Sequence, residues 1–123
     1  MDLNDLEVYR ISRELSSRAW DVYKEMLKEH KFSIGQQFIK SIDSIGANIA
    51  EGYGRYHYLD STKFYYNARG SLWESKHWFD LLHERKFVSN EIYKNCSEKL
   101  NTLGVKLNNF ISSVKNKAKT NKK

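Results

Sequence analysis

Apolar residues recur at steps of three and four along most of the chain, a spacing that predicts amphipathic helices. The first predicted helix covers about residues 5–30 and begins at a capping box formed by Asn4 and Glu7. The second follows Ser33, which forms a similar box with Gln36. Their stripes are Leu15, Ala19, Val22, Tyr23 and Met26 in the first helix, and Phe38, Ile42, Ile45 and Ile49 in the second.

Two more helices are predicted in the second half of the chain. The third starts near Asp60 or Ser61 and runs to about Lys86, and the fourth is capped by Ser89 with Glu91 in its first turn. Their stripes are Phe64, Ala68, Leu72, Ser75, Phe79 and Leu82 in the third helix, and Ile92, Cys96, Leu100, Leu103, Leu107, Phe110 and Val114 in the fourth.

The connections between these helices predict how they pack. Those around Lys31-Phe32 and Phe87-Val88 are short, which makes consecutive helices antiparallel neighbours. The second helix ends at Gly52 or Gly54, and a longer linker, 53–59, leads to the third. We therefore expect an all-α fold, an up-and-down four-helix bundle that forms one domain over residues 1–115.

Composition agrees with this fold class and excludes others. Hydrophobic residues make up 40% and aromatic residues 14% of the 123 residues, enough for a core, and proline is absent. The acidic start of the chain lacks the features of a secretory signal, and no apolar run is long enough to span a membrane. We expect a cytoplasmic protein without membrane contact.

The net charge of +6 is concentrated at the carboxyl end. Five lysines and no acidic residue lie between Ser112 and Lys123, so the preceding residues carry a net charge of only +1. Residues 116–123 have nothing apolar to bury and are expected to form a flexible basic tail.

The sequence does not support catalysis, a metal site or a cofactor. Cys96 is the single cysteine, and its expected role is that of a small buried hydrophobe. Glu74 and His77 form a Glu-x-x-His pair, but di-metal bundles need a second such pair on another helix, and none is present. Gly52 and Gly54 follow a helix instead of a strand, which fits a helix end and not a dinucleotide site.

Small residues are concentrated in the second and third predicted helices. They are Ser41, Ser44, Gly46, Ala47 and Ala50 in the second, and Ala68, Gly70, Ser71 and Ser75 in the third. Such residues allow close helix packing, so leucine at Gly46 or Gly70 is expected to force these two helices apart. Glu51 and Glu74 are interpreted as hydrogen-bond anchors, with partners such as Arg55 or Arg69, in preference to acid–base catalysts.

The same two helices carry a family resemblance. Ser-Ile-x-x-Asn-Ile-Ala-Glu-Gly is present at 44–52 and Gly-Ser-Leu-x-Glu at 70–74, and together they resemble the four-helix-bundle family of the 23S rRNA-intervening sequence protein. The motif residues are Ser44, Asn48, Glu51, Gly52, Gly70, Ser71 and Glu74. Many members have Leu-Pro-x-Glu and Arg-Arg-Ala before the first motif. This chain instead has Lys31-Phe32-Ser33-Ile34 and Ile39-Lys40-Ser41 at these places, so Lys40 is the remaining cation of the second segment.

This resemblance implies a left-handed up-and-down bundle that assembles into a homopentameric barrel. Members are encoded inside rRNA intervening sequences or as separate genes. A related branch, the accessory variability determinant of diversity-generating retroelements, binds a reverse transcriptase and nucleic acid through a basic surface.

Two functions follow as hypotheses. The first is a non-enzymatic oligomeric adaptor that binds RNA or a nucleic-acid enzyme through basic and aromatic surface. The candidate contact residues are Lys40, Arg55, Lys63, Arg69, Lys115, Lys117 and Lys119, beside the linker aromatics 56–58. The alternative is a protein–protein interaction module without a nucleic-acid role, whose interfaces use Tyr9, Trp20, Tyr66, Trp73 and Trp78.

Overall fold

The computed structural model describes residues 2–55 and 57–120. Its long helices are α1 (Glu7–Lys24), α2 (Gln36–Tyr53), α3 (Tyr58–Glu84) and α4 (Asn90–Thr120). A 3₁₀ turn, Leu3–Asp5, precedes α1. A one-turn helix, Lys28–His30, continues through a π-helical turn, Lys31–Gly35, into α2. No strand occurs among these residues, so the predicted all-α class is confirmed.

Neighbouring helices are antiparallel, as an up-and-down bundle requires. Side-chain contacts pair early residues of one helix with late residues of the next: Glu7–Lys106 and Glu14–Lys99 between α1 and α4, Ser41–Ser75 between α2 and α3, and Asp80–Tyr93 and Arg69–Asn108 between α3 and α4. Among the described residues, none of the helices has a stretch apolar enough to cross a bilayer.

The predicted stripes form most of the core. All four apolar residues of the second stripe are buried. Tyr65 is buried where Phe64 was expected, and Ile111 where Phe110 was expected, whereas the neighbouring stripe residues Ala68, Leu107 and Val114 are buried as predicted. The buried positions step by three residues from Tyr65 to Ala68 and by four from Leu107 to Ile111, so the deviation is local. At the start of α4, Ile92 is exposed instead of buried.

Several predicted helix ends are wrong. Asp5, not Glu7, accepts a hydrogen bond at the first turn, from the Asp2 backbone N–H at 2.8 Å. Ser33 does not cap a helix, since its hydroxyl donates back to the Glu29 carbonyl at 3.1 Å inside a continuous helical turn. The break between the first two helices is therefore at residues 25–27, earlier than expected, and α2 itself runs to Tyr53.

The end of α3 and the start of α4 are set by local hydrogen bonds. Ser89 caps α4 as predicted, with its hydroxyl accepting the Ile92 N–H at 3.1 Å. α3 begins at Tyr58, ahead of the predicted start, and ends at Glu84 because Lys86 adopts a left-handed φ of 62°. The Phe87 N–H then bonds the Leu82 carbonyl at 2.8 Å, which closes the helix end in a Schellman-type motif.

The helix α4 continues through Thr120, five residues beyond the predicted end of the domain at 115. The Thr120 hydroxyl donates to the Asn116 carbonyl at 3.0 Å, so residues 116–120 are a helical extension and not a tail without secondary structure. The rest of the predicted tail, residues 121–123, lies outside the described residues.

The predicted glycine contact between the second and third helices is wrong in its details. A Cβ on Gly70 would meet nothing within 4 Å, because this residue lies on the exposed face of α3. A Cβ on Gly46 would lie 2.9 Å from the Ser12 hydroxyl, so Gly46 packs against α1. The close α2–α3 approach occurs instead at Gly52, whose Cβ would lie 2.5 Å from Tyr65 Cε1.

Candidate nucleic-acid interface

Two stretches without acidic residues lie side by side on the surface of the bundle. Residues 61–73 of α3 and residues 99–120 of α4 contain no aspartate or glutamate. The two helices are antiparallel, and Arg69 Nη1 donates to Asn108 Oδ1 at 3.3 Å between them. Because the stretches are adjacent, their cations share one region of positive potential. We call this surface the α3/α4 face and define its cations as Lys63, Arg69, Lys115 and Lys119.

Two other lysines of α4 are held on the opposite side of that helix. Lys99 Nζ lies 2.7 Å from Glu14 Oε1, and Lys106 Nζ lies 2.9 Å from Glu7 Oε1, both on α1. The hydrogen bond from Lys99, together with its charge and that of Arg18, lowers the pKa of Glu14 from its ordinary value. The acids of α1 thus neutralise Lys99 and Lys106, whereas no described carboxylate lies within ion-pair distance of the α3/α4-face cations.

Tyr66 brings two of the predicted contact residues together. The Arg69 guanidinium carbon lies 4.8 Å from the centre of the Tyr66 ring, and Lys115 Nζ lies 5.8 Å from it. Cation–π contacts of this length hold a charged side chain in place without neutralising it. Arg69 and Lys115, from two different helices, therefore form a preorganised pair of cations.

The other candidate cations differ in their surroundings. Lys63 and Lys119 are exposed, and Lys119 follows Lys115 by four residues and shares its side of α4. Lys117 is exposed but points to another side of the helix, two residues from Lys115. Lys122 and Lys123 lie outside the described residues.

Arg55 and Lys40 do not join the α3/α4 face. Arg55 forms an ion pair with Glu51 at 2.6 Å and lies over the Phe64 ring at 4.6 Å, so its charge is largely neutralised. Lys40 lies near the start of α2, about 20 Å from the helix end at Tyr53 at 1.5 Å per residue. The linker aromatic at position 56 lies outside the described residues, so the expected cluster of 55–58 is not described as a whole.

The prediction missed an extension of the α3/α4 face along α3. Lys76 Nζ lies 4.4 Å from the centre of the Trp73 ring, and Trp73 has 62% of its surface exposed. The pair repeats the Tyr66–Arg69 arrangement seven residues later, on the same side of the helix. An aromatic residue with a cation three positions on, twice at heptad spacing, is the sequence pattern that would have identified it.

The residues of the family motif make mainly local structural contacts. Asn48 Nδ2 donates to the Ser44 carbonyl at 2.9 Å, and the Ser75 hydroxyl donates to the Ser71 carbonyl at 2.7 Å. Glu74 accepts a hydrogen bond from Trp78 Nε1 at 2.9 Å, not from Arg69. Together with the Glu51–Arg55 pair, these contacts fit the interpretation of the motif carboxylates as anchors.

No histidine or cysteine in the described part of the chain forms a group that could hold a metal ion. His83 Nε2 is 2.7 Å from Asn90 Oδ1, and its ring stacks on Tyr93 at 3.9 Å. His77 packs edge-on against Trp78. Burial raises the pKa of the Cys96 thiol, which disfavours the reactive thiolate.

An open groove lies between α1 and α4, at the opposite end of the bundle from the Tyr66 cluster. It has a volume of about 520 Å³, with walls formed by Val22, Met26, Val88 and Ile92 and with Cys96 on its lining. Its rim carries both acidic and basic side chains, including Arg18 and Glu25. Apolar walls of this kind suit the burial of apolar groups from a ligand or from another protein surface.

Comparison with known proteins places the chain in a family and gives no activity. The model of the family described as "23S rRNA-intervening sequence protein" matches residues 4–109. The chain is also similar to a crystal structure of a protein of unknown function from the S23 ribosomal protein family of Bacteroides thetaiotaomicron, with 25% sequence identity and a TM-score of 0.79. That similarity covers 85% of this chain and 97% of the other. No curated protein matches the sequence.

Proposed function

We propose that this chain, which belongs to the family of the 23S rRNA-intervening sequence protein, is a non-enzymatic oligomeric adaptor that binds RNA through the α3/α4 face. The observation that carries the proposal is the pairing of the two acid-free stretches on adjacent helices. Such a surface attracts a polyanion, because its cations add to the same field and no described carboxylate lies within ion-pair distance of Lys63, Arg69, Lys115 or Lys119. We place this activity in the cytoplasm.

Recognition on this surface would be electrostatic and tolerant of sequence. Arg69 and Lys115 are held over Tyr66, so they would meet phosphates with little loss of side-chain freedom. Contacts to phosphates fix position but carry no information about bases. The protein partner that the family resemblance adds is a nucleic-acid enzyme such as a reverse transcriptase, which would share the bound RNA.

Binding should fall steeply with salt, since neutralised phosphates release counterions. The test is fluorescence anisotropy of a labelled RNA at increasing salt concentrations, with the full chain and with residues 116–123 deleted. The deletion removes four lysines per chain and leaves Val114, the last buried apolar residue of α4, in place. We expect weaker binding and a shallower salt dependence for the shortened chain. RNA binding that does not respond to salt would contradict the proposal.

We further propose that the adaptor is a homo-oligomer, and the family resemblance favours five copies. Exposed apolar side chains near the turn between α1 and α2 support self-association, notably Trp20, Leu27 and Phe32, which expose 53%, 65% and 65% of their surface. Closed cyclic symmetry would cover this surface on every copy and would repeat the α3/α4 face around a ring, which strengthens binding to a long RNA. Light scattering after size exclusion should give five times the chain mass of 14.6 kDa. A mass equal to that of one chain over a wide range of protein concentrations would contradict the proposed oligomer.

The second candidate is a protein–protein interaction module without a nucleic-acid role. The α1/α4 groove and the exposed side chains Trp20, Leu27 and Phe32 favour it, because they form apolar surface away from the α3/α4 face. A stable oligomer that does not change RNA anisotropy at low salt would select this alternative.

A further inference from the structure

The exposed indole of Trp73 is the feature of the α3/α4 face that electrostatics does not explain. With 62% of its surface exposed, Trp73 is among the most exposed large apolar side chains of the described residues. A tryptophan buried in the core would stabilise the bundle, whereas Trp73 leaves its indole in water. An exposed indole on a cationic surface suits a partner that carries both aromatic rings and negative charge.

The geometry around Trp73 leaves part of the indole available. Lys76 Nζ lies 4.4 Å from the ring centre. Its ammonium group therefore fixes the ring and covers one face, and the high exposure of the side chain comes from the remaining surface. By contrast, Tyr66 is half-buried against the core and has two cations over its ring, so it has little surface to offer a base.

The spacing of the two aromatic–cation pairs matches an extended ligand. Tyr66–Arg69 and Trp73–Lys76 are seven residues apart, which places them on one side of α3 about 10 Å from each other. An RNA strand bound along α3 would place its phosphates near Arg69, Lys115 and Lys76 and would place an unpaired base on the indole of Trp73. Bases in a duplex are stacked on one another and cannot reach this surface.

We propose that Trp73 is a stacking platform for an unpaired base, so that the α3/α4 face selects single-stranded RNA over duplex RNA. This inference rests on the proposed function, and it adds a ligand class and a residue that the electrostatic argument does not require. Stacking on an aromatic side chain is tolerant of base identity, so the preference would be for strandedness and not for sequence.

The test compares Trp73→Leu with Trp73→Phe. Leucine keeps an apolar side chain but removes the aromatic face, whereas phenylalanine retains an aromatic face. Each variant is titrated with a single-stranded RNA of about 12 nucleotides and with the corresponding duplex, at one salt concentration. Light scattering records the mass of every variant.

We expect Trp73→Leu to lose about 5- to 100-fold in affinity for the single strand and to keep its affinity for the duplex. Trp73→Phe should lose less. Equal losses for both ligands, no loss, or a drop in oligomer mass with Trp73→Leu would overturn the stacking role while leaving the electrostatic function in place. If the unchanged chain binds neither ligand, the proposed function itself fails.

Discussion

Replacing Gly52 by alanine should destabilise the bundle by about 1–3 kcal/mol, because the added methyl group would overlap the Tyr65 ring. The Cβ would lie 2.5 Å from Cε1 and 2.9 Å from Cδ1 of that ring. Tyr65 cannot move aside easily, since it is 3% exposed and packs edge-on against Phe110 at 4.9 Å between ring centres. The change would therefore separate α2 from α3 or displace α4.

Gly70→Ala is the matched control for this experiment. It adds the same methyl group to a helix of the same bundle, but at a position where nothing lies within 4 Å. Alanine has a higher helix propensity than glycine, so Gly70→Ala should stabilise the protein by up to about 1 kcal/mol. Thermal unfolding at equal protein concentration should show a lower Tm for the first variant and an unchanged or higher Tm for the second. A lower Tm for Gly70→Ala alone would contradict the packing described above.

The glycines also show what a sequence pattern can and cannot predict. Helical spacing correctly predicted four helices and most of the core, because burial of a stripe follows directly from its period. It could not tell which partner each small residue faces. The choice depends on the rotation of each helix, which exposes Gly70 and buries Tyr65 together with Ala68.

The helix ends were predicted less well for a related reason. The box expected at Ser33 fails because the chain continues through a π-helical turn, where the serine hydroxyl bonds a carbonyl of the preceding turn. The left-handed conformation of Lys86 could not be predicted from the sequence either, since glycine is the usual residue at the left-handed position that follows a helix. Both features depart from the local residue preferences on which the prediction of helix ends depends.

The candidate interface was predicted in part. Arg69 and Lys115 come from distant parts of the sequence and meet at Tyr66 only because α3 and α4 are antiparallel. Arg55 was included for its charge, but it follows the end of α2 and forms an ion pair with Glu51, four residues earlier in the last turn of that helix. The net charge of a sequence does not show which cations form ion pairs. The two acid-free stretches indicate a binding surface only when the structure shows that α3 and α4 lie side by side.

Neutralising three cations of the α3/α4 face should weaken RNA binding strongly. The variant Arg69→Gln/Lys115→Gln/Lys119→Gln removes three charges with no described carboxylate partner, so it should lose three phosphate contacts. For a single-stranded RNA we expect a loss of about 100-fold in affinity at 0.1 M salt, and a decrease of about 2 in the slope of log affinity against log salt. All three changes are on the surface, so the Tm should change little.

The control variant removes the same number of charges at the other end of the bundle. Lys28→Gln/Lys40→Gln/Lys94→Gln changes exposed lysines that lie before α2, near the start of α2 and near the start of α4. Because the two variants have equal net charge, a difference between them reports the location of the binding surface and not the charge of the whole protein.

The measurement that tests the central claim is the RNA affinity of these two variants across a series of salt concentrations, by anisotropy with one labelled single-stranded RNA. We predict that the α3/α4-face variant loses most of its affinity and its salt slope, while the control stays within about threefold of the unchanged chain. Equal losses in both variants, or a larger loss in the control, would contradict an RNA-binding α3/α4 face.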